Sequence, residues 1–154
     1  LSRDSPSGRE YDGQQYAVVL LAGIFHDSGK RPGITDHAAE GARQVPVILG
    51  RMGFDEETIR LVTLLVREHL TLSQFATGRD PDDPAVAAEL AARVDDDLVL
   101  LDMLFDLTRA DGSSLGATAA ETISKRYGWS KWRETAVGIM TDAVRERIRA
   151  DRRE

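Results

Sequence analysis

The run 17–25 is nine residues long, carries no charge, and is closed by His26 and Asp27. An imidazole and a carboxylate at the end of an apolar stretch are costly to desolvate unless something compensates them. A divalent cation would compensate both. Tyr16, Val19, Leu20 and Gly23 recur at three- and four-residue spacing, which predicts a helix from about Gln14. Apolar residues lie nearly all round it, so a central, buried helix is expected. A strand is the competing reading of 18–21, but no alternating partner strand occurs along the chain, so helix is preferred.

The punctuation that follows is helical throughout. Ser28-Gly29 and Pro32-Gly33 end the first helix. A second starts near Asp36 and runs to about Met52, with Gly53 as its stop and Pro46 expected to kink or split it. Asp55-Glu56-Glu57 opens a third, whose apolar face is Ile59, Val62, Leu65 and Val66, continued by His69. Residues 71–84 contain Gly78, Pro81, Pro84 and three aspartates, and read as a long loop. A short alanine-rich helix is expected over 84–94. The next, capped by Asp95 or Asp96, carries Leu98, Leu101, Leu104, Phe105 and Thr108 on one stripe and ends at Asp111-Gly112. Helices over 117–127 and 129–149 complete the set. The expectation is an all-α domain of about six or seven helices over 14–150, after a flexible lead-in over 1–13.

Composition sets the boundaries of function. A chain of 154 residues suits one domain. The absence of cysteine excludes disulfides, thiolate zinc sites and a cysteine nucleophile, and fits a reducing cytosol. The longest apolar run falls far short of the ~20 residues of a membrane span. The opening LSRDSPSGRE lacks the apolar core of a signal peptide. A cytoplasmic protein without membrane contact is therefore expected. A net charge of −6 argues against nucleic-acid binding. The basic tail RERIRADRRE reads as the solvated end of a helix.

Asp111 continues the stripe Leu101, Leu104, Thr108 at helical spacing, so it points as its core neighbours point. His69 stands in the same relation to Val62, Leu65 and Val66. His26 and Asp27 end the most apolar helix, and His37 follows the Pro-Gly turn just after a helix start. One histidine on an apolar face is ordinarily a hydrogen-bonded core residue, and an aspartate before glycine is ordinarily turn chemistry. Four helix ends that each offer a metal- or phosphate-competent group would require four such coincidences together.

The order His-Asp, His, His, Asp, here His26-Asp27, His37, His69 and Asp111, resembles the HD superfamily of metal-dependent phosphohydrolases. The segments 25–30 (FHDSGK), 35–41 (TDHAAEG), 65–70 (LVREHL), 80–84 (DPDDP) and 107–111 (LTRAD) are similar to the HD domain of bacterial PII uridylyltransferase/uridylyl-removing enzymes. The similarity extends over roughly 17–135. It implies an HD-type helical domain that hydrolyses a phosphodiester, removing a nucleotidyl group, uridylyl or adenylyl, from a tyrosine of a PII-type signalling protein. It implies a divalent metal, Mn2+ or Mg2+, held by His26, Asp27 and Asp111. Asp27 could also bridge to a second metal held by His37 and His69; in a one-metal site those histidines would bind phosphate or move a proton. Lys30 could meet a phosphate as a point charge or be a solvated loop residue. The superfamily's first ligating histidine lies on a preceding helix, and no histidine precedes His26. Because the chain opens on Leu1, a piece of a larger multidomain enzyme is expected, with other domains of that enzyme as partners. The alternatives are another HD-type nucleotide phosphohydrolase, or a degenerate, non-catalytic helical regulatory module.

Overall fold

A computed structural model describes residues 5–113 and 130–153. Among them the chain is all-helical: α1 Gly13–Phe25, α2 His37–Arg51, α3 Glu56–Glu68, α4 Thr71–Gly78, α5 Pro84–Arg93, α6 Leu98–Ser113 and α7 Lys131–Asp151. The all-α class expected from the sequence is what is found. The helix expected over 117–127 lies outside the described residues. No helix among the described residues is long and apolar enough to cross a membrane. The chain divides into two compact units, Leu1–Leu70 and Thr71–Glu154.

In the first unit α3 packs against both α1 and α2. Each helix begins on an aspartate that satisfies otherwise orphaned backbone donors. Asp12 accepts from the Gln15 backbone N–H, and Gln15 returns the bond to the Asp12 backbone in a capping box. Asp36 accepts from Ala39 N–H, and Asp55 from Thr58 N–H. At the far end of α2, Gly53 has φ +85°. Its N–H bonds to the Gly50 carbonyl, while that of Phe54 bonds to Leu49, the paired pattern of a Schellman stop. Pro46 does not split α2. The proline forgoes one backbone bond, but Val45 and Leu49 on either side are fully buried and keep the segment in place.

The phase expected for α1 is wrong. Val18, Val19, Leu21 and Ala22 are its buried residues, whereas Leu20 is 43% and Ile24 63% exposed, with Tyr16 also on the outside. A helix that is apolar on every side has almost no moment, so the pattern contains nothing that says which side is in.

In the second unit α7 packs against α4, α5 and α6, and α4 against α6. Helix α4 replaces the loop expected over 71–84. The turn-forming residues all lie at 78 and beyond, while Thr71, Leu72 and Phe75 are buried at helical spacing. The cap expected at Asp95 or Asp96 is instead Asp97, whose carboxylate accepts from Val99 and Leu100 N–H. Asp95 and Asp96 adopt positive φ, 54° and 52°, and their N–H groups close the end of α5 onto Ala92 and Ala91. They terminate the helix before rather than starting the one after, a left-handed conformation aspartate tolerates better than most residues. Helix α6 buries not only Leu101, Leu104 and Thr108 but also Asp102 and Asp106. Helix α7 opens on Ser130 as N-cap. Its basic tail is not uniformly solvated: Arg145 is drawn inward, its Nη1 2.7 Å from Asp102 Oδ1.

Candidate metal centre

Four of the residues singled out in the sequence come together in the first unit. His26 is the C-cap of α1 and His69 the C-cap of α3, and the two use the same device. His26 Nδ1 lies 2.7 Å from the carbonyl of Gly23, three residues back, and His69 Nδ1 lies 2.7 Å from that of Val66, also three residues back. A carbonyl can only accept, so each Nδ1 carries the proton. That leaves each neutral ring with a lone pair at Nε2, the form in which imidazole binds metals. The last turn of each helix thus fixes both the tautomer and the aim of its histidine.

Both Nε2 atoms are directed at Asp27. His26 Nε2 is 3.4 Å from Asp27 Oδ2, and His69 Nε2 is 3.8 Å from Oδ1. His37, the first residue of α2, brings its Nε2 to 3.4 Å from the same Oδ1 and 3.2 Å from His69 Nε2. The ring of His69 lies against both others, with centroids 5.2 Å from His26 and 5.1 Å from His37, and the residue is 1% exposed. Asp27 is therefore divided. Oδ1 faces His37 and His69, and Oδ2 faces His26. Oδ2 also accepts from Lys30 Nζ at 2.7 Å. Asp27, His37 and His69 each offer a ligand atom within 4.8 Å of the others.

This donor set fits a divalent cation. The Nε2 atoms of His37 and His69 and a carboxylate oxygen of Asp27 converge, and no sulfur is present, which suits Mn, Mg, Fe or Zn rather than a thiophilic metal. The carbonyl ends of α1 and α3 also close on the cluster, and a helix C-terminus favours positive charge.

Two glycines that the sequence reading assigned no role, or only a turn, set the register. A Cβ on Gly29 would fall 2.1 Å from the His37 carbonyl oxygen and 2.6 Å from Gly41 N. A Cβ on Gly41 would meet Val66 Cγ1 at 3.0 Å and Ser28 Oγ at 3.3 Å. The backbone after His26-Asp27 thus rests directly on the first turns of α2, which itself lies close on α3. A glycine four residues after His37 at helical spacing was the available signal for the second. Arg31 reinforces the seam by pairing with Glu40 of α2. Glu40 also accepts from Arg43 and Gln44, and these bonds, Arg43 first, hold its carboxyl down at about 2, against the usual 4.5.

Asp111 belongs to the second unit, in the last turn of α6, where it is half-buried.

Comparison with known proteins gives a consistent set of relatives. The chain is 35% identical over 128 residues to a bifunctional uridylyltransferase/uridylyl-removing enzyme of Streptomyces coelicolor, covering 82% of this chain and 14% of that one. It is 32% identical over 120 residues to the enzyme of the same name from Mycobacterium tuberculosis, covering 78% and 14%. For that of Pasteurella multocida the values are 34% over 123 residues, 80% and 13%. The chain thus spans about one-seventh of the length of the relatives it matches. No family model matches the chain. No solved structure matches it either.

Proposed function

Because this chain is homologous over about four-fifths of its length to bifunctional uridylyltransferase/uridylyl-removing enzymes, consistent with the HD domain of that enzyme, we propose that it carries the removing activity. The reaction is metal-dependent hydrolysis of the phosphodiester that links a uridylyl or adenylyl group to a PII-type nitrogen-regulatory protein. The observation that supports it best is the approach of His37 and His69 Nε2 to one oxygen of Asp27 while His26 approaches the other.

In this proposal His26 and Asp27 hold the primary metal, Mn2+ or Mg2+, together with Asp111, which is assigned on the sequence pattern. The metal supplies Lewis acidity that activates water and polarises a phosphoryl oxygen. His37 and His69, with Asp27 Oδ1, either hold a second cation or bind the phosphoryl group and pass a proton. Lys30 offers its ammonium to the phosphate as a point charge. The removed group leaves as a nucleoside monophosphate and the tyrosine hydroxyl of the partner is restored. Other domains of a longer parent enzyme would supply the opposing transferase reaction.

The test is calorimetric titration of Mn2+ into this chain and its Asp27→Ala variant, followed by nucleotide release from uridylylated and adenylylated PII protein. Asp27→Ala is expected to abolish both metal uptake and hydrolysis while far-ultraviolet circular dichroism keeps its helical signal. Turnover retained in that variant would refute the assignment. No metal uptake by the unaltered chain would favour a helical regulatory module.

A further inference from the structure

Asp27 Oδ2 is already engaged by a cation. Lys30 Nζ donates to it at 2.7 Å, the shortest contact that either oxygen of Asp27 makes among those described here. The pair closes a tight turn in which the Lys30 N–H also bonds the Asp27 carbonyl at 3.0 Å. The two ends of the pair are accessible, Lys30 58% and Asp27 39% exposed, so the ammonium can leave without crossing the core. Among the described residues the other oxygen has no such cation in contact: Oδ1 faces the rings of His37 and His69.

We propose that Lys30 is a resident counter-ion that competes with the metal for Asp27 Oδ2. A carboxylate flanked by helix carbonyl ends would otherwise stand in a field that disfavours its charge. Lys30 neutralises it and keeps Oδ2 turned toward His26 before a metal arrives. A dication brought to Oδ2 would repel the ammonium that rests 2.7 Å from the same atom and drive it to withdraw. Metal loading and lysine release are then one event. The released ammonium, tethered three residues from Asp27, is placed in the solvent-facing mouth where a phosphate would approach. This deepens the proposed hydrolase function and rests on it. It adds that Lys30 opposes metal binding in the resting state and becomes available to the substrate only afterwards.

The test uses Mn2+ alone as probe. Lys30→Met removes the competitor, and Lys30→Arg keeps the charge as a control. Lys30→Met is expected to bind Mn2+ tighter by about two- to fivefold, the scale of an exposed ion pair, with Lys30→Arg close to the unaltered chain. Equal or weaker binding by Lys30→Met overturns the competition and would make Lys30 a support for Asp27 instead. A second readout follows the lysine itself. Reductive methylation of Lys30, read by peptide mass spectrometry, is expected to accelerate when Mn2+ is added to the unaltered chain. An unchanged or slower rate overturns the release. Mn2+ uptake by the unaltered chain distinguishes the two levels: if it takes up none, the metal reading itself fails, whereas uptake with no gain in Lys30→Met fails this inference alone.

Discussion

Each unit of the chain holds a carboxylate ringed by partners, buried at Asp102 and half-buried at Asp27, and the two are compensated in opposite ways. In the second unit Asp102 on α6 is buried against Arg145 of α7, a cation that is never deprotonated. The contact is an ion pair set off the hydrogen-bond line rather than a well-aimed bond, but both partners belong to the protein. In the first unit Asp27 faces three imidazole nitrogens and one solvent-exposed ammonium. The first arrangement is complete as it stands and joins two helices. The second converges lone pairs on a point and leaves the permanent charge outside. A carboxylate set among imidazole nitrogens is open to a further ligand, whereas one held by the guanidinium of a neighbouring helix serves the fold.

The largest effect that could break this contrast is on stability. Asp102→Ala leaves Arg145 without its buried partner and is expected to cost about 3 kcal/mol in urea unfolding. Asp27→Ala is expected to change stability far less while abolishing metal uptake. Equal losses from the two would mean that both carboxylates are structural. Gly29→Ala comes next. Its methyl group would collide with backbone of α2 rather than a movable side chain, so about 2 kcal/mol of destabilisation is expected, with weaker Mn2+ binding in whatever fraction stays folded. A variant as stable as the parent would show that the seam between the turn and α2 is looser than described.

The smallest effect concerns Glu40. Its folded carboxyl titrates at about 2, below its ordinary 4.5. Its ion pairs therefore contribute fully above pH 4.5, and the contribution fades as the pH falls toward 2. Acid titration of stability, compared between the parent and Glu40→Gln, should show a shallower slope in the variant over that window. The effect should shrink in high salt, as expected for charges near the surface. Identical slopes would remove Glu40 from the seam.

The helix ends were the most legible part of the sequence. Asp36 and Asp55 announce themselves because a cap acts locally, through the backbone two or three residues on. His26, Asp27 and His69 stood out for a related reason: a polar group that prolongs an apolar run is carried along by that run, whereas His37 stood out only by its place at a helix start. Four features escaped. The inner side of α1 could not be phased, since Leu20 and Ile24 are as apolar as Val18 and Ala22. Helix α4 was hidden by the proline- and aspartate-rich turn after it. Asp102 and Asp106 lie among the leucines of α6, where only the opposing helix decides that they are buried. Gly29 and Gly41 matter through an approach between segments twelve residues apart, which no local window can contain.

His26 and His69 each anchor Nδ1 on a main-chain carbonyl of their own helix. Fraying of the final turn of α1 or α3 would swing an imidazole out of line, and a cation gripping that imidazole would in turn resist the fraying. With a cation bound as proposed, occupancy of the centre and winding of these two helix tips would be two faces of one equilibrium.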